Sequence, residues 1–169
     1  MSILICYDGS ASSKLAVAVA AKTISHDHVV LLNVFSPPEA VLSDSFGTPD
    51  AIAGRQPDRL ERQSVDFGRE VLEAGREVAR VHGLVVECRL ERRQESVEST
   101  ILAVAAELAA DLIVMGSHGH TAVQENLLGS VSNAVVRSAA APVLIVPLGK
   151  PQALDASSAD RHRLEASTT

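Results

Sequence analysis

Three glycines and a serine at one spacing, Gly116-x2-Gly119-x9-Gly129-Ser130, carry the clearest chemical signal in the sequence. The apolar residues Leu112 to Met115 come just before them, short and sharply bounded as a buried strand is. A segment with helical spacing follows Ser130. Strand, glycine-rich loop and helix start together present backbone N–H groups to a phosphate at the positive end of a helix dipole. Glycine suits that loop because it reaches positive φ cheaply and lets a ligand approach the backbone. A tight turn and a helix cap would use the same residues, so the pattern alone leaves both readings open. A second group, Asp8-Gly9-Ser10, places a carboxylate where a first apolar run stops and a hydroxyl where a helix would need its cap.

Other chemistries find less support. His118 and His120 flank Gly119, but no cysteine or third histidine lies near them in sequence to complete a zinc site. They read better as polar groups beside a phosphate. There is no Gly-x4-Gly-Lys-Ser/Thr, which excludes a Walker-type NTPase. No Gly-x-Ser-x-Gly and no nucleophile paired with a base is present. Cys6 and Cys88 sit in separate strand-like segments with no CxxC or metal spacing, and read as buried thiols.

Composition narrows the class. The 169 residues make one domain of ordinary size, with a core built from Val, Leu, Ile and Ala, since 46% of residues are apolar and only 2% aromatic. So few aromatics leave no stacking platform for single-stranded nucleic acid, and a net charge of −6 opposes electrostatic binding to it. No run approaches the roughly 20 apolar residues of a membrane span. The amino terminus lacks the basic-then-apolar pattern of a secretory signal, so a cytoplasmic location is expected, without membrane or nucleic-acid partners.

The elements that must position these groups alternate. Ser2 to Tyr7 and His28 to Phe35 read as buried strands, with a helix over Ser12 to Ile24 between them capped by Ser10. Residues 36–57 carry Pro37, Pro38, Gly47, Pro49, Gly54 and Pro57, and form a long mobile loop, partly disordered. Asp58 to His82 is an amphipathic helix with Leu60, Phe67, Val71, Ala74, Val78 and Val81 on one stripe, ended by Gly83. The Arg and Glu residues between 55 and 93 are its solvated face. Leu84 to Leu90 alternates and reads as a half-exposed edge strand. Ser96 caps a further helix carrying Val97, Ile101, Ala105 and Leu108; after the glycine loop, Val131 to Ala139 is a short helix. Val143 to Val146, bracketed by Pro142 and Pro147, suits an outer strand. The polar residues 149–169 form a solvated tail beyond a domain over 1–148.

Strands buried on both faces and alternating with helices specify an α/β fold, a doubly wound parallel sheet with helices on either side. Ligands then bind outside the carboxyl ends of the strands, where strand order reverses. If the first and fourth strands are neighbours, Asp8 and the Gly116 loop meet in one crevice.

The full glycine pattern, set between Ala110-Asp111-Leu112-Ile113-Val114-Met115 and Pro142-Val143-Leu144-Ile145-Val146-Pro147, resembles that of the universal stress protein family. Asp8-Gly9-Ser10, with Ser13 and Ala16, is similar to that family's amino-terminal segment, and the resemblance covers about residues 1–147. It implies a single Rossmann-like sheet of five parallel strands in the order 3-2-1-4-5, and a homodimer paired through the last strand, Val143 to Val146. Members with this glycine pattern hold ATP. By position, Asp8, next to Tyr7, would take the ribose hydroxyls; the backbone at Val34 would meet the adenine edge, and Met115 would pack near base and sugar. Gly116, Gly119, Gly129, Ser130 and Val131 would surround the phosphates, with the Ser130 and Ser132 hydroxyls and the histidines His118 and His120 at hand.

The sequence departs from the family where a basic residue often follows the second glycine's His-Gly; here His120 stands there. Nor does the frequent Gly-x-Pro before the third helix occur, Glu95-Ser96-Val97 taking its place. No Lys or Arg lies between Gly119 and Gly129, and Glu125 adds negative charge. Triphosphate would rest on amides, a divalent ion such as Mg²⁺ and His120; a diphosphate, a monophosphate or a cyclic nucleotide is the alternative. The expected function is a dimeric, ATP-dependent stress or signalling switch. The competing readings are a slow ATPase or nucleotide-processing enzyme, with Asp44 or Asp50 from the loop, and a ligand-independent scaffold.

Overall fold

Segments such as Ile3-Leu4-Ile5 and Val29-Val30-Leu31-Leu32 are apolar at every position, so only a strand covered on both faces can hide both sets of side chains. The computed structural model, which describes residues 1–24, 28–37, 57–119 and 128–148, builds them that way. In chain order the elements are β1 (Ser2–Cys6), α1 (Ala11–Thr23), β2 (His28–Phe35), α2 (Pro57–Val81), β3 (Glu87–Arg92), α3 (Val97–Glu107), β4 (Leu112–Gly116), α4 (Ser130–Ser138) and β5 (Val143–Val146). The strands form one parallel sheet in the order β3-β2-β1-β4-β5.

Two cores result from the strand alternation. Ile3, Ile5, Tyr7, Leu31 and Val114 face α1 and α2, whose Ala16, Val17, Leu72 and Ala79 cover them. Leu4, Leu32, Ile113 and Met115 face the other side, under Ile101, Val104 and Val135 from α3 and α4. The chain is therefore wound both ways from β1, which pairs with β2 on one side and β4 on the other. That places the switch in strand order between the carboxyl ends of β1 and β4.

The caps read from the sequence are made. Ser10 accepts the Ser13 N–H at 3.2 Å, and Ser96 and Ser99 exchange side-chain-to-backbone bonds at 3.1 Å each. β3 lies at the sheet edge as its alternation predicts, but it begins at Glu87 rather than Leu84. The cause is the end of α2. Gly83 (φ 76) donates to the Arg80 carbonyl at 3.0 Å, and Leu84 reaches back to the Ala79 carbonyl at 2.9 Å. Leu84 is thus buried as part of the helix stop and is not available to open a strand. Residues 38–56 of the expected loop, the tail 149–169, His120 and Glu125 lie outside the described residues, as do Asp44 and Asp50.

Candidate functional site

β1 ends at Cys6, and Gly9 (φ 84) turns the chain into α1, leaving Asp8 at the mouth of the switch. The Asp8 Oδ1 accepts the Ser10 N–H at 2.9 Å, which holds the carboxylate across the turn. β4 ends at Gly116, against α1: a Cβ there would stand 2.8 Å from the backbone carbon of Ser12. Only a glycine lets the strand pass so close. The loop beyond is pinned to the same helix start, since the His118 carbonyl accepts the hydroxyls of Ser12 and, at 3.5 Å, Ser10. Gly119 then faces Asp8, with 2.9 Å between its would-be Cβ and Asp8 Oδ2.

The far side of the loop is closed by α4. Gly129 donates to the Ser117 carbonyl at 2.8 Å, and the Ser132 hydroxyl donates to the carbonyls of Ser117 (3.0 Å) and Gly116 (3.3 Å). The Ser132 proton is thereby committed to bracing the loop. Gly129 sits at the N-cap and has no side chain to cap the helix, so the first-turn N–H groups of Ser130, Val131 and Ser132 meet the cleft with no cap among the described residues to offset their dipole.

Together these surfaces enclose a cleft of about 370 Å³, within the range of small-molecule sites of roughly 300–1,000 Å³. Tyr7, Asp8, Val34, Met115, Gly116, His118, Gly119, Gly129, Ser130, Val131 and Ser132 all line it, eleven of the twelve residues singled out from the sequence, the twelfth being His120. The Tyr7 ring itself belongs to the opposite core, beside Gly75 and Leu31, so the cleft meets the backbone of that residue.

Sequence reasoning did not assign Cys6, Ser13, Leu32, Asn33, Val97 and Ile101 to the site, and these also line it. Val97 and Ile101 could have been found only by knowing that α3 lies over the β1–β2 end. Asn33 left a plainer trace, as the one amide in the apolar run of β2.

The floor is aliphatic, formed by Leu32, Val34, Val97, Ile101 and Met115, and no Lys or Arg is among the described lining residues. Burial, and secondarily the Asp8 charge, push the Cys6 thiol up to about 12, so it stays protonated at neutral pH. The same two causes raise the Tyr7 phenol. The His118 ring pairs its Nδ1 with the Ser117 hydroxyl at 2.9 Å, while its buried Nε2 has no partner among the described residues. No group of three or more metal-ligating side chains is present among the described residues. The arrangement can hold a flat apolar group, a hydroxyl-bearing group and an anion in a row.

The model of the universal stress protein family matches residues 1–147. The universal stress protein MJ0577 of Methanocaldococcus jannaschii is 30% identical over 136 residues, covering 75% of this chain and 81% of that one. Its solved structure superposes with a TM-score of 0.69 at 25% identity, covering 88% of this chain and 96% of that one. A universal stress protein from Archaeoglobus fulgidus in complex with dAMP shares the fold at 23% identity (TM-score 0.59; 86% and 97% covered). So does a universal stress protein in complex with cAMP, also at 23% identity (TM-score 0.58; 87% and 96% covered).

Proposed function

This chain belongs to the universal stress protein family, and we propose that it is a member that holds an adenine nucleotide at the β1–β4 switch and acts as a nucleotide-dependent switch. One observation carries the reading: a carboxylate and an uncapped helix N-terminus line the same aliphatic-floored cleft. The base lies over Val34 and Met115, between Val97 and Ile101, with its edge toward the Val34 backbone. Asp8 accepts hydrogen bonds from the ribose hydroxyls, a role carboxylates fill in dinucleotide folds. The phosphates lie against Gly116, Gly119 and the first-turn N–H groups of Ser130, Val131 and Ser132.

ATP needs a divalent cation such as Mg²⁺ here, because the described lining offers the phosphates no lysine or arginine. The same observation favours, as a second reading, a less charged ligand such as AMP or a cyclic nucleotide, the class to which the bound molecules of the cAMP and dAMP relatives belong. Any hydrolysis is read as slow, since of the described lining groups that could act as a base, Asp8 is taken up by the Ser10 N–H and the ribose, and His118 bonds the Ser117 hydroxyl.

The test is to denature freshly purified protein, with and without prior incubation with Mg²⁺-ATP, and chromatograph what is released. Adenine nucleotide recovered from wild type and lost in Asp8→Ala supports the reading. Asp8→Ala should weaken AMP more than it weakens 2′,3′-dideoxy-AMP; equal losses would refute the ribose role. Protein that yields no nucleotide before or after incubation leaves the cleft without one, and the proposal fails.

A further inference from the structure

β1 and β2 part company earlier than the rest of the sheet. Their paired register ends at Cys6↔Leu32, whereas β2 stays paired with β3 through Phe35↔Arg92. One further bond follows on the β1 side, from the Tyr7 N–H to the Leu32 carbonyl at 2.8 Å. A regular parallel ladder would continue with the Val34 N–H donating to the Tyr7 carbonyl, since residues two apart on a strand face the same neighbour. Instead the Asn33 side chain turns back along the strand, and its Nδ2 donates to the Tyr7 carbonyl at 2.8 Å. Asn33 is buried, 8% exposed, and its Oδ1 occupies space left by Gly68 of α2, 3.2 Å from where a Cβ would be.

The Val34 N–H and carbonyl point toward β1, on the side opposite the Arg93 N–H that bonds the Phe35 carbonyl at 2.8 Å. No bond from β1 meets them among the described residues. A backbone donor and acceptor are thus held side by side at the wall of the cleft. Left to itself, the ladder would take the Val34 N–H and close the gap, because a buried Tyr7 carbonyl must find a donor.

We propose that Asn33 is a positioning residue for base recognition: by satisfying the Tyr7 carbonyl with its side chain it keeps the Val34 backbone pair for the edge of the base. This rests on the nucleotide reading above. A donor beside an acceptor matches adenine, whose ring N1 accepts and whose amino group donates. It opposes guanine, whose N1–H donates and whose O6 accepts. Asn33 therefore sets preference for adenine without touching the nucleotide.

The experiment compares wild type, Asn33→Leu and Asn33→Ala by hydrogen exchange at the Val34 amide and by calorimetry with Mg²⁺-ATP and Mg²⁺-GTP. The alanine adds no bulk and loses the donor, which covers the case in which Asn33→Leu does not fold. In wild type without nucleotide the Val34 amide should exchange quickly, and ATP should slow it. In both variants it should be slow without nucleotide. ATP affinity should fall by about tenfold or more, the scale of one lost buried hydrogen bond, with GTP little changed. A merely structural Asn33 would weaken both nucleotides alike. Wild type that prefers ATP, with the same preference in the folded variants, overturns the positioning role alone. Wild type that binds neither nucleotide overturns the nucleotide reading, and the base contact with it, whatever the exchange data show.

Discussion

Asp8 and Gly119, from opposite halves of the chain, meet with no room between them: a Cβ on Gly119 would stand 2.9 Å from Asp8 Oδ2. That contact is what makes two short motifs one site, because β1 and β4 are neighbours and both end at the same crevice. The two glycines of the loop differ in what they face. At Gly116 a Cβ would collide with the backbone of Ser12, which cannot yield without moving α1, whereas at Gly119 it meets one carboxylate oxygen at an exposed position.

Gly119→Ala should therefore lower nucleotide affinity by tenfold or more, by displacing the Asp8 carboxylate and roughening the phosphate wall, while the melting temperature changes little. Gly116→Ala should destabilise the protein by about 1–3 kcal/mol as an overpacked contact does. Calorimetry and thermal melts on the two variants separate the effects. Equal melting losses would mean that the loop at 119 is as rigidly packed as the strand end at 116.

Stability should decline at alkaline pH. Cys6 gains charge on losing its proton, and its folded-state value of about 12 lies above the ordinary value of 9.0, so above about pH 9 the unfolded chain releases a proton that the native protein keeps. The unfolded state then binds fewer protons, and stability falls with rising pH. The slope is at most about 1.4 kcal/mol per pH unit for one group, until the native thiol itself ionises near pH 12. Tyr7 adds to the fall from about pH 10 upward, its phenol being raised by the same burial. Denaturant titrations from pH 8 to 11 should show this decline, and Cys6→Ala should flatten its first part. A wild-type slope identical to that of Cys6→Ala would show that the thiol ionises as readily folded as unfolded.

The close of α3 contains a local strain. Ala109 holds φ 45 where the helix stops, with its N–H on the Ala106 carbonyl at 3.1 Å and the Ala110 N–H on the Ala105 carbonyl at 2.9 Å. The same arrangement ends α2, but there a glycine occupies the left-handed position. An alanine pays about 1 kcal/mol for that conformation, partly offset by the greater freedom of glycine in the unfolded chain. Ala109→Gly, at an exposed site, should stabilise by about 0.5–1 kcal/mol and raise the melting temperature by a few degrees. A lower melting temperature would mean that the unfolded-state entropy outweighs the strain.

These helix ends also show what could be read from the sequence. β2 and β5 have the bounds that their apolar runs predict, β5 lying between Pro142 and Pro147 and β2 ending ahead of Ser36-Pro37. Gly83 announced the stop of α2, but Leu84, which completes the stop, looks like strand in composition and is taken by the helix closure instead. Ala109 gave no sign at all, since alanine prefers the helix that it terminates here. In the site, Asp8 and the glycine loop were legible because their chemistry is local. Val97 and Ile101 were not, because their place over the aliphatic floor of the cleft depends on which face of the sheet α3 covers. Asn33 lay in view as an amide among aliphatics, yet its partner, a carbonyl on the neighbouring strand, exists only once β1 and β2 are paired.

The two edges of the sheet are unlike, and this bears on assembly. β3 carries Glu87, Arg89, Glu91 and Arg92; Arg89 bonds Glu107 at 2.6 and 2.9 Å and Glu91 at 2.6 Å, and Arg92 reaches Glu61 at 3.0 Å. Such charges blunt an edge against pairing. β5 carries Val143 to Val146 without a charge, with exposed Leu148 beyond it and exposed Val136 on the neighbouring α4. A homodimer through β5, as we propose, would cover this edge, and the direction of its backbone groups gives a clean test. The Pro142 and Val146 carbonyls accept from Ile113 and Ser117 of the β4 segment at 3.0 Å each, so Leu144 also faces β4 and the N–H groups of Val143 and Ile145 face outward. Ile145→Pro removes an outward donor and leaves the inner ladder bonded, so it should give a folded monomer in sedimentation at tens of micromolar. Leu144→Pro breaks the ladder within the subunit and should cost several times more stability. Wild-type protein that sediments as a monomer, or an Ile145→Pro variant that remains a dimer, would place the interface elsewhere or remove it.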